Sequence, residues 1–253
     1  MNPVVPYSRY AALYDRTGQD AFSRRAWEYV RAKLKRLEWR GRRVLDLACG
    51  TGAALEPIAA DGLSVWGADL SREMLLNARL TTAHPLARAD LRALPFADAS
   101  FDLLTCFYDS LNYLPTPADL AMALAEAARV LAPGGLLVFD LNTRYTLKHH
   151  WEGVCHTRLS EDLATIWTAT WDETTGLSSL KATFFVQGED GRWDRFDEVH
   201  DERGFKNSEL TEAIAAAGLE ASLIEDYQTG RRPGEDSRRV FYFLRAKAAG
   251  KRR

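Results

Sequence analysis

Apolar residues recur along this chain with two different periods. Before the first strand, a spacing of three or four residues predicts an amphipathic helix. The residues with that spacing are Phe22, Ala26, Val30, Leu34 and Leu37. From residue 42 onward, short apolar runs alternate with segments of helical periodicity. This alternation predicts right-handed crossover connections and a parallel sheet with helices on its faces.

Five apolar runs predict the strands of this sheet. They are Arg43–Ala48, Ser64–Asp69, Leu86–Ala89, Phe101–Phe107 and Leu136–Leu141. Three helices are expected between these strands. The first covers residues 53–60, the second begins after Ser71, which serves as its N-cap, and the third begins at Thr116–Pro117. The sequence at 133–135, Pro-Gly-Gly, is expected to end that last helix before the fifth strand begins.

After Asn142 the pattern changes to that of an antiparallel meander. Three runs rich in threonine and aromatic residues are separated by turn sequences that contain glycine. These runs are Ala164–Trp171, Leu180–Val186 and Arg195–His200. The α/β pattern then returns with one helix and two strands, at Glu209–Ala217, Glu220–Tyr227 and Arg239–Ala246.

The predicted organisation therefore has three parts. Residues 1–40 form an N-terminal helical lid, residues 41–145 and 204–247 form a doubly wound α/β core, and residues 146–203 form the inserted meander. The meander is expected to serve as a substrate lid or as a dimer surface. Its tryptophans would cover a pocket or form its own core: Trp151, Trp167, Trp171 and Trp193. The tail from Gly250 to Arg253 is expected to be disordered.

Composition adds limits on the class of partner. Apolar residues make up 46% of the chain and the net charge is -2, so neither a membrane nor a nucleic acid is expected as partner. A helix face over residues 31–43 is locally basic, which fits a polyanion patch or a solvated surface. The three widely spaced cysteines and the absence of a signal-peptide pattern predict a reducing cytoplasm.

The first strand leads into the sequence Asp46-Leu-Ala-Cys-Gly50-Thr-Gly52, and a helical segment follows. A strand, a glycine turn and a helix N-terminus let the backbone approach a ligand closely. Asp69 ends the second strand about 20 residues on, where a carboxylate can accept both hydroxyls of a ribose. Leu55 replaces the third small residue of a dinucleotide fingerprint, and no P-loop lysine follows Gly52. The expected ligand is an adenosine that carries a zwitterionic group rather than phosphates.

These residues, taken together, resemble a class I S-adenosylmethionine-dependent methyltransferase. The similarity is close over residues 42–141 and loose over 205–246, and it rests on five motifs in the family's order. The motifs are Asp46–Gly52, Asp69–Leu75, Ala89–Leu91, Phe101–Cys106 and Arg129–Gly135. The resemblance implies a Rossmann-like, seven-stranded sheet whose last strand is antiparallel, with S-adenosyl-L-methionine as cofactor.

The resemblance also implies roles for individual cofactor-binding residues. The turn that starts from Asp46 and runs through Ala48, Gly50 and Gly52 would face the methionine part, and Asp69 would hold the ribose. Around the adenine and the methionine end, the implied contacts are Leu70, Met74, Asp90, Leu91 and Phe107. Asp46 could equally stabilise the turn, and Met74 could equally be a core residue.

Candidate catalytic residues are Asp109, Tyr14 and His200. Asp109 follows the fourth strand and could contact the acceptor, act as a base or cap a helix. Tyr14, with Tyr10, could fold over the cofactor or pack on the core. His200 could be a base or an ordinary buried histidine. No metal is expected, because the pair at 149–150, His-His, has no third ligand nearby in sequence.

Three functions remain open at this point. The first is methyl transfer to an N or O atom of a small molecule by in-line displacement. A small acceptor is favoured because the segment after the fourth strand lacks the Pro-Pro-aromatic tetrad of nucleic-acid amino methyltransferases. The second is an RNA or protein methyltransferase that uses the basic helix face. The third is a non-catalytic cofactor-binding module. The protein is expected to be a monomer or a homodimer.

Overall fold

The computed structural model describes residues 6–247, and it contains two separate sheets. The predicted disordered tail at 250–253 lies outside the described residues. The larger sheet has seven strands in the order β10-β11-β5-β4-β1-β2-β3. Its strands are β1 Arg43–Leu47, β2 Ser64–Asp69, β3 Leu86–Arg88, β4 Phe101–Cys106, β5 Leu131–Asn142, β10 Leu219–Asp226 and β11 Arg239–Ala246.

Strand β11 runs antiparallel to both of its neighbours, while strands β1 to β5 pair in parallel. Leu47 pairs with both Ala68 and Cys106, so β1, β2 and β4 end at the same level. Strand order reverses between β1 and β4, and ligands of such sheets bind at the carboxyl ends beside this switch point. The predicted doubly wound, Rossmann-like sheet is confirmed.

Helices cover both faces of this sheet. They are α1 Asp20–Arg36, α2 Leu55–Ala60, α3 Arg72–Thr81, α4 Pro117–Val130, α5 Arg144–Thr146 and α6 Asn207–Ala216. Helices α1 and α2 pack on one face around Val30 and Ile58, and α4 and α6 pack on the other around Leu124 and Leu210. None of the helices within residues 6–247 is long and apolar enough to cross a membrane.

The predicted helix break at 133–135 was placed wrongly. Helix α4 already ends at Val130, and β5 begins at Leu131, which pairs with Phe101 of β4. The Pro-Gly-Gly sequence therefore lies inside the strand, and the β4–β5 register shifts between Phe101 and Leu103 to accommodate it. Leu131 is buried, and an apolar residue at this position fits the end of a helix as well as the start of a strand, so its apolar character could not distinguish the two.

The inserted segment forms the second sheet, a four-stranded antiparallel meander. Its strands are β6 Cys155–Leu159, β7 Leu163–Asp172, β8 Leu177–Gln187 and β9 Trp193–Arg203. Sequence reasoning missed β6, because every residue of this edge strand is exposed and its sequence has no apolar alternation. One face of the sheet is directed at the α/β core, and Trp167 lies on it, whereas Trp193 is 47% exposed.

Residues 10–17 precede α1 as two short 3-10 turns, Tyr10–Leu13 and Asp15–Thr17. This N-terminal segment packs between the two sheets. Tyr10 and Leu13 join Leu163, Phe184 and Phe196 of the meander in one buried cluster. The segment therefore contributes to the core of the second sheet as well as covering the first.

Candidate active site

The turn after β1 has the backbone shape that its glycines predict. Ala48, Gly50 and Gly52 all have positive φ, at 52°, 55° and 79°. Glycine adopts this region without a steric penalty, whereas Ala48 carries a cost of roughly 1–2 kcal/mol. A Cβ placed on Gly50 would meet no described atom within 4 Å, so the turn presents bare backbone to open space.

Asp69, at the end of β2, fixes this turn to the neighbouring strand. Its carboxylate accepts the Gly50 N–H at 2.8 Å on one oxygen and the Ser71 N–H at 2.8 Å on the other. Each oxygen keeps a second lone pair, so the carboxylate can still accept hydrogen bonds from the two hydroxyls of a ribose. Burial raises the pKa of Asp69, and the two backbone hydrogen bonds partly oppose that rise.

The surroundings of Asp69 fit an adenosine without phosphates. Leu70 is 57% exposed and offers an apolar surface beside the carboxylate. Asp90 is already engaged, because Arg92 donates to it through both its backbone and its guanidinium group. The turn itself carries no basic side chain to meet a phosphate. These surroundings fit S-adenosylmethionine, and the predicted roles of Asp69 at the ribose and of Leu70 and Leu91 at the ring stay predictions.

Three of the residues predicted to bind the cofactor are buried. Met74 is 3% exposed inside α3, and Phe107 is 3% exposed in the core beside Phe241. Asp46 is also 3% exposed, and its carboxylate accepts a 2.6 Å hydrogen bond from the Thr105 hydroxyl. Direct contact with the ligand by these three side chains stays a prediction.

We expect the Asp46→Asn variant to lose a pH dependence that the parent protein has. Burial raises the pKa of Asp46 to about 7, while an unfolded aspartate titrates near ~3.9. A raised pKa gives stability that is present at low pH and lost as pH rises. Urea unfolding without cofactor should show the parent losing up to about 1.4 kcal/mol per pH unit relative to the variant between about pH 4 and 7. If the free energy of unfolding of the parent and of the variant changed with pH in parallel, the prediction would be wrong.

The turn after β4 is strained and is held from β5. Tyr108 and Asp109 have consecutive positive φ values of 61° and 51°, which non-glycine residues adopt rarely. The Asp140 carboxylate, fully buried on β5, accepts both of their backbone N–H groups at 2.7 and 3.1 Å. Burial raises the pKa of Asp140 to about 6. The Tyr108 ring stacks on Phe22, with ring centres 4.6 Å apart, and Asp109 is 6% exposed.

Arg239 at the start of β11 completes this network. Its guanidinium group donates to Asp109 at 2.7 Å, to Asn142 at 2.9 Å and to Asp140. It also lies 4.6 Å from the centre of the Phe22 ring. Neither Arg239 nor Asp140 was predicted from the sequence, because each sits in a strand pattern that indicates only burial.

A cavity of about 410 Å³ lies between this turn, the N-terminal segment and the inner face of the meander. The candidates Asp109, Tyr14 and His200, from three distant parts of the sequence, all line it. Asp109 therefore faces the cavity rather than serving only as a cap. Further lining side chains, which sequence reasoning did not assign, include Tyr7, Tyr108, Tyr113, Glu202 and Arg239.

His200 belongs to a chain of hydrogen-bonding groups in this cavity. Its Nδ1 lies 3.0 Å from the Tyr113 hydroxyl, which lies 2.6 Å from the Tyr7 hydroxyl. Its Nε2 lies 3.4 Å from the Glu198 carboxylate. His200 is 2% exposed, so its ring is enclosed by the cavity wall.

The N-terminal segment is tied to both sheets and thereby closes the cavity. Glu198 on β9 accepts the backbone N–H groups of Tyr7, Arg9 and Tyr10 at 2.7 to 2.9 Å. On the other side, the Thr51 hydroxyl of the glycine turn donates to Asp15 at 2.7 Å. Tyr14, which precedes Asp15, is thus held next to the cofactor turn.

We expect Glu198→Ala to release this segment without unfolding the protein. The change leaves three backbone N–H groups without their hydrogen-bond acceptor, at a cost of about 1–3 kcal/mol for each group that stays buried. Hydrogen exchange at the amides of residues 7–10 should accelerate, and binding of a ligand in the cavity should weaken. Asp197→Ala is the matched control, because Asp197 lies on the outer face of the same strand with Lys181 and Arg195. Unchanged exchange in the Glu198 variant would show that the carboxylate does not hold the segment.

Comparison with known proteins agrees with this geometry. A family model described as a methyltransferase domain matches residues 44–135. A relative from Geobacillus sp. (strain WCH70) that is named as a methyltransferase is 30% identical, over 94% of this chain and 98% of that one. A dTDP-4-amino-2,3,4,6-tetradeoxy-D-glucose N,N-dimethyltransferase from Saccharopolyspora spinosa is 29% identical over 88% of each chain.

Among solved structures, an S-adenosylmethionine-dependent methyltransferase from Clostridium acetobutylicum superposes with a TM-score of 0.81. It is 25% identical and the match covers 96% of this chain and 99% of that one, so the meander and the N-terminal segment are included. The resemblance proposed from the five motifs is confirmed. The chain belongs to the class I S-adenosylmethionine-dependent methyltransferases, and S-adenosylmethionine is its methyl donor.

Proposed function

We propose that this enzyme methylates the nitrogen atom of a small amine that binds in the cavity beside Asp109. The observation that carries the proposal is the make-up of the cavity wall, which places the carboxyl groups of Asp109 and Glu202 beside several tyrosine rings. An ammonium group is attracted by the carboxylates through its charge and by the tyrosine ring faces through cation–π interaction. A neutral alcohol carries no charge and gains neither attraction.

An excess of negative charge lies at one end of the cavity. Asp109, Asp140 and Glu202 surround a single cation there, the guanidinium group of Arg239. Arg158, the other arginine in the wall, is exposed and donates to the Thr17 carbonyl. A cationic acceptor therefore meets an acidic end and experiences little competing positive charge.

The aromatic side comes from the N-terminal segment and the meander. Tyr7, Tyr10 and Tyr14 lie within 6.0 Å of one another by ring centres, and the Trp167 ring lies 5.9 Å from Tyr10. Burial raises the pKa of Tyr7 and Tyr14 well above the usual value, so these rings stay neutral. Neutral ring faces stabilise a cation by about 0.5–2 kcal/mol each.

The bound cofactor supplies a methyl group on a cationic sulfur, which any aligned neutral amine can attack. The protein must orient the acceptor, exclude water and remove the proton of an ammonium group. Asp109 is the proposed proton acceptor, because it lines the cavity and Arg239 holds its carboxylate in place. His200 and Tyr14 are proposed to position the acceptor from the opposite wall.

Relatives give independent support for nitrogen. The Saccharopolyspora spinosa relative is named for N,N-dimethylation of an amino sugar nucleotide. By contrast, a macromolecular acceptor has little support, because the basic helix face is largely paired with acids. Arg31 contacts Asp61, Arg43 contacts Asp102, and Lys33 contacts Glu225.

The test is a methyl-transfer screen with matched acceptors. Each primary amine in the panel, amino sugars included, is paired with the alcohol of the same skeleton, and S-adenosylhomocysteine formation is measured. We expect turnover with amines only, and an Asp109→Asn variant should lose most of it while still binding the cofactor. Turnover confined to the alcohols would contradict the proposal and favour O-methylation.

A further inference from the structure

The reaction outlined above gives Glu202 no proton-transfer step, although it is the more buried of the two carboxyl groups in the cavity wall. It lies on the inner face of β9 and is 2% exposed. Its only neutral hydrogen-bond donor within the described residues is the Asn142 amide, at 3.1 Å. Its neighbour in the cavity wall is the carboxyl group of Asp109. The two are linked through one network, because Arg239 donates both to Asp109 and to the Asn142 side chain that holds Glu202.

The cation nearest to Glu202 is already committed. Arg239 forms its ion pairs with Asp109 and Asp140 through Nη1, and its Nη2 donates to Asn142. If all three carboxyl groups were ionised, this buried cluster would hold two more negative charges than positive ones. Ionised groups without partners are costly to bury, so such a cluster retains a proton instead.

We propose that Asp109 and Glu202 share one proton in the free enzyme and release it when a cationic acceptor binds between them and the tyrosines. This inference rests on the proposed function, because it requires the acceptor to arrive as a cation. One proton leaves to solvent as one ammonium charge enters, so the charge of the cluster is unchanged. The dianionic pair can then accept the ammonium proton before methyl transfer.

The surroundings of Glu202 favour this exchange. Burial and the nearby charge of Asp109 both raise the pKa of Glu202 well above its usual value, and Arg239 opposes this only in part. Besides Arg239 and the Asp140 carboxyl group, the ionisable groups that face the pair are phenols and a histidine. They are Tyr7, Tyr108, Tyr113 and, two residues before Glu202 on β9, His200.

Calorimetry with tetramethylammonium tests the exchange directly. This probe has a fixed charge and no proton of its own, so any proton released on binding must come from the protein. Titration into the complex with S-adenosylhomocysteine is repeated at one neutral pH in Tris and in phosphate, which differ in ionisation enthalpy. The parent should release about one proton per bound probe, and its affinity should rise with pH.

Two variants make the result specific. Glu202→Gln should bind the probe without releasing a proton and with an affinity that no longer rises with pH. Asp201→Asn is the matched control, because Asp201 lies on the outer face of β9 with Ser179 and should behave like the parent. Equal proton release by the parent and by Glu202→Gln would overturn the inference, as would failure of the parent to bind the probe.

Infrared spectroscopy tests the shared proton without any ligand. Subtracting the Glu202→Gln spectrum from the parent spectrum at neutral pH should leave the carbonyl stretch of a protonated carboxylic acid, because the contribution of Asp46 is common to both proteins. Presence of this band together with absence of amine turnover would refute the proposed function alone. Amine turnover with neither band nor proton release would refute the inference alone.

Discussion

Replacing Asp69 with alanine is expected to abolish useful binding of S-adenosylmethionine. The variant loses the carboxylate that would accept the two ribose hydroxyls, and charged hydrogen bonds of this kind contribute about 1.5–3 kcal/mol each. It also frees the N–H groups of Gly50 and Ser71, which Asp69 now holds. Calorimetry should show affinity for S-adenosylhomocysteine lower by at least about 3 kcal/mol, or more than about 100-fold.

Two further variants separate the role of the carboxylate from general damage. Asp69→Asn keeps one acceptor oxygen and should fall between the parent and the alanine variant. Glu73→Ala removes an exposed acid from the first turn of α3, where its one ion pair is with Arg72, and should bind like the parent. If Asp69→Ala retained parental affinity, the ribose assignment would be wrong.

Replacing Arg239 with methionine is expected to give the largest loss of stability. Methionine occupies much of the same space but leaves Asp109 and Asp140 without their buried cation. Breaking a buried ion pair from one side typically costs about 3–5 kcal/mol. Denaturant unfolding at neutral pH should show a decrease of this size, and turnover should fall because the Tyr108–Asp109 turn loses its support.

The pH dependence of this variant provides a second measurement. Without the guanidinium group, the pKa values of the surrounding carboxyl groups rise, so the difference from the parent should shrink as pH is lowered and these groups take up protons. Arg238→Met is the control, since Arg238 is the exposed neighbour of Arg239. An equal loss of stability in both variants would mean that the buried pairing is not the cause.

The cofactor half of the site could be predicted from the sequence because its determinants are local. A glycine turn after one strand and an acid after the next appear as short motifs at fixed spacing. The α/β order of elements was predictable for the same reason. Gly50 and Asp69 lie only 19 residues apart and are joined by one hydrogen bond.

For the cavity, the sequence indicated single wall residues such as Asp109, Tyr14 and His200, but not the contacts that join them, because these contacts are long-range. Arg239 meets Asp109 from 130 positions away, and Glu198 meets Tyr7 from 191 positions away. In the sequence, these charged residues look like the polar positions of ordinary strands. Their burial depends on how the meander docks against the core, which no local pattern encodes. The same limit explains why Glu202 went unnoticed beside His200.

The attachment of the N-terminal segment to β9 has a consequence for how the enzyme matures. During synthesis, Tyr7 leaves the ribosome long before Glu198, its partner 191 residues later, exists. The glycine turn, Asp69 and β4 are all synthesised by residue 106, well before the strand that carries Glu198. Contacts this distant in sequence form late in folding. The cavity beside the glycine turn therefore closes only after β9 has left the ribosome and met the N-terminal segment.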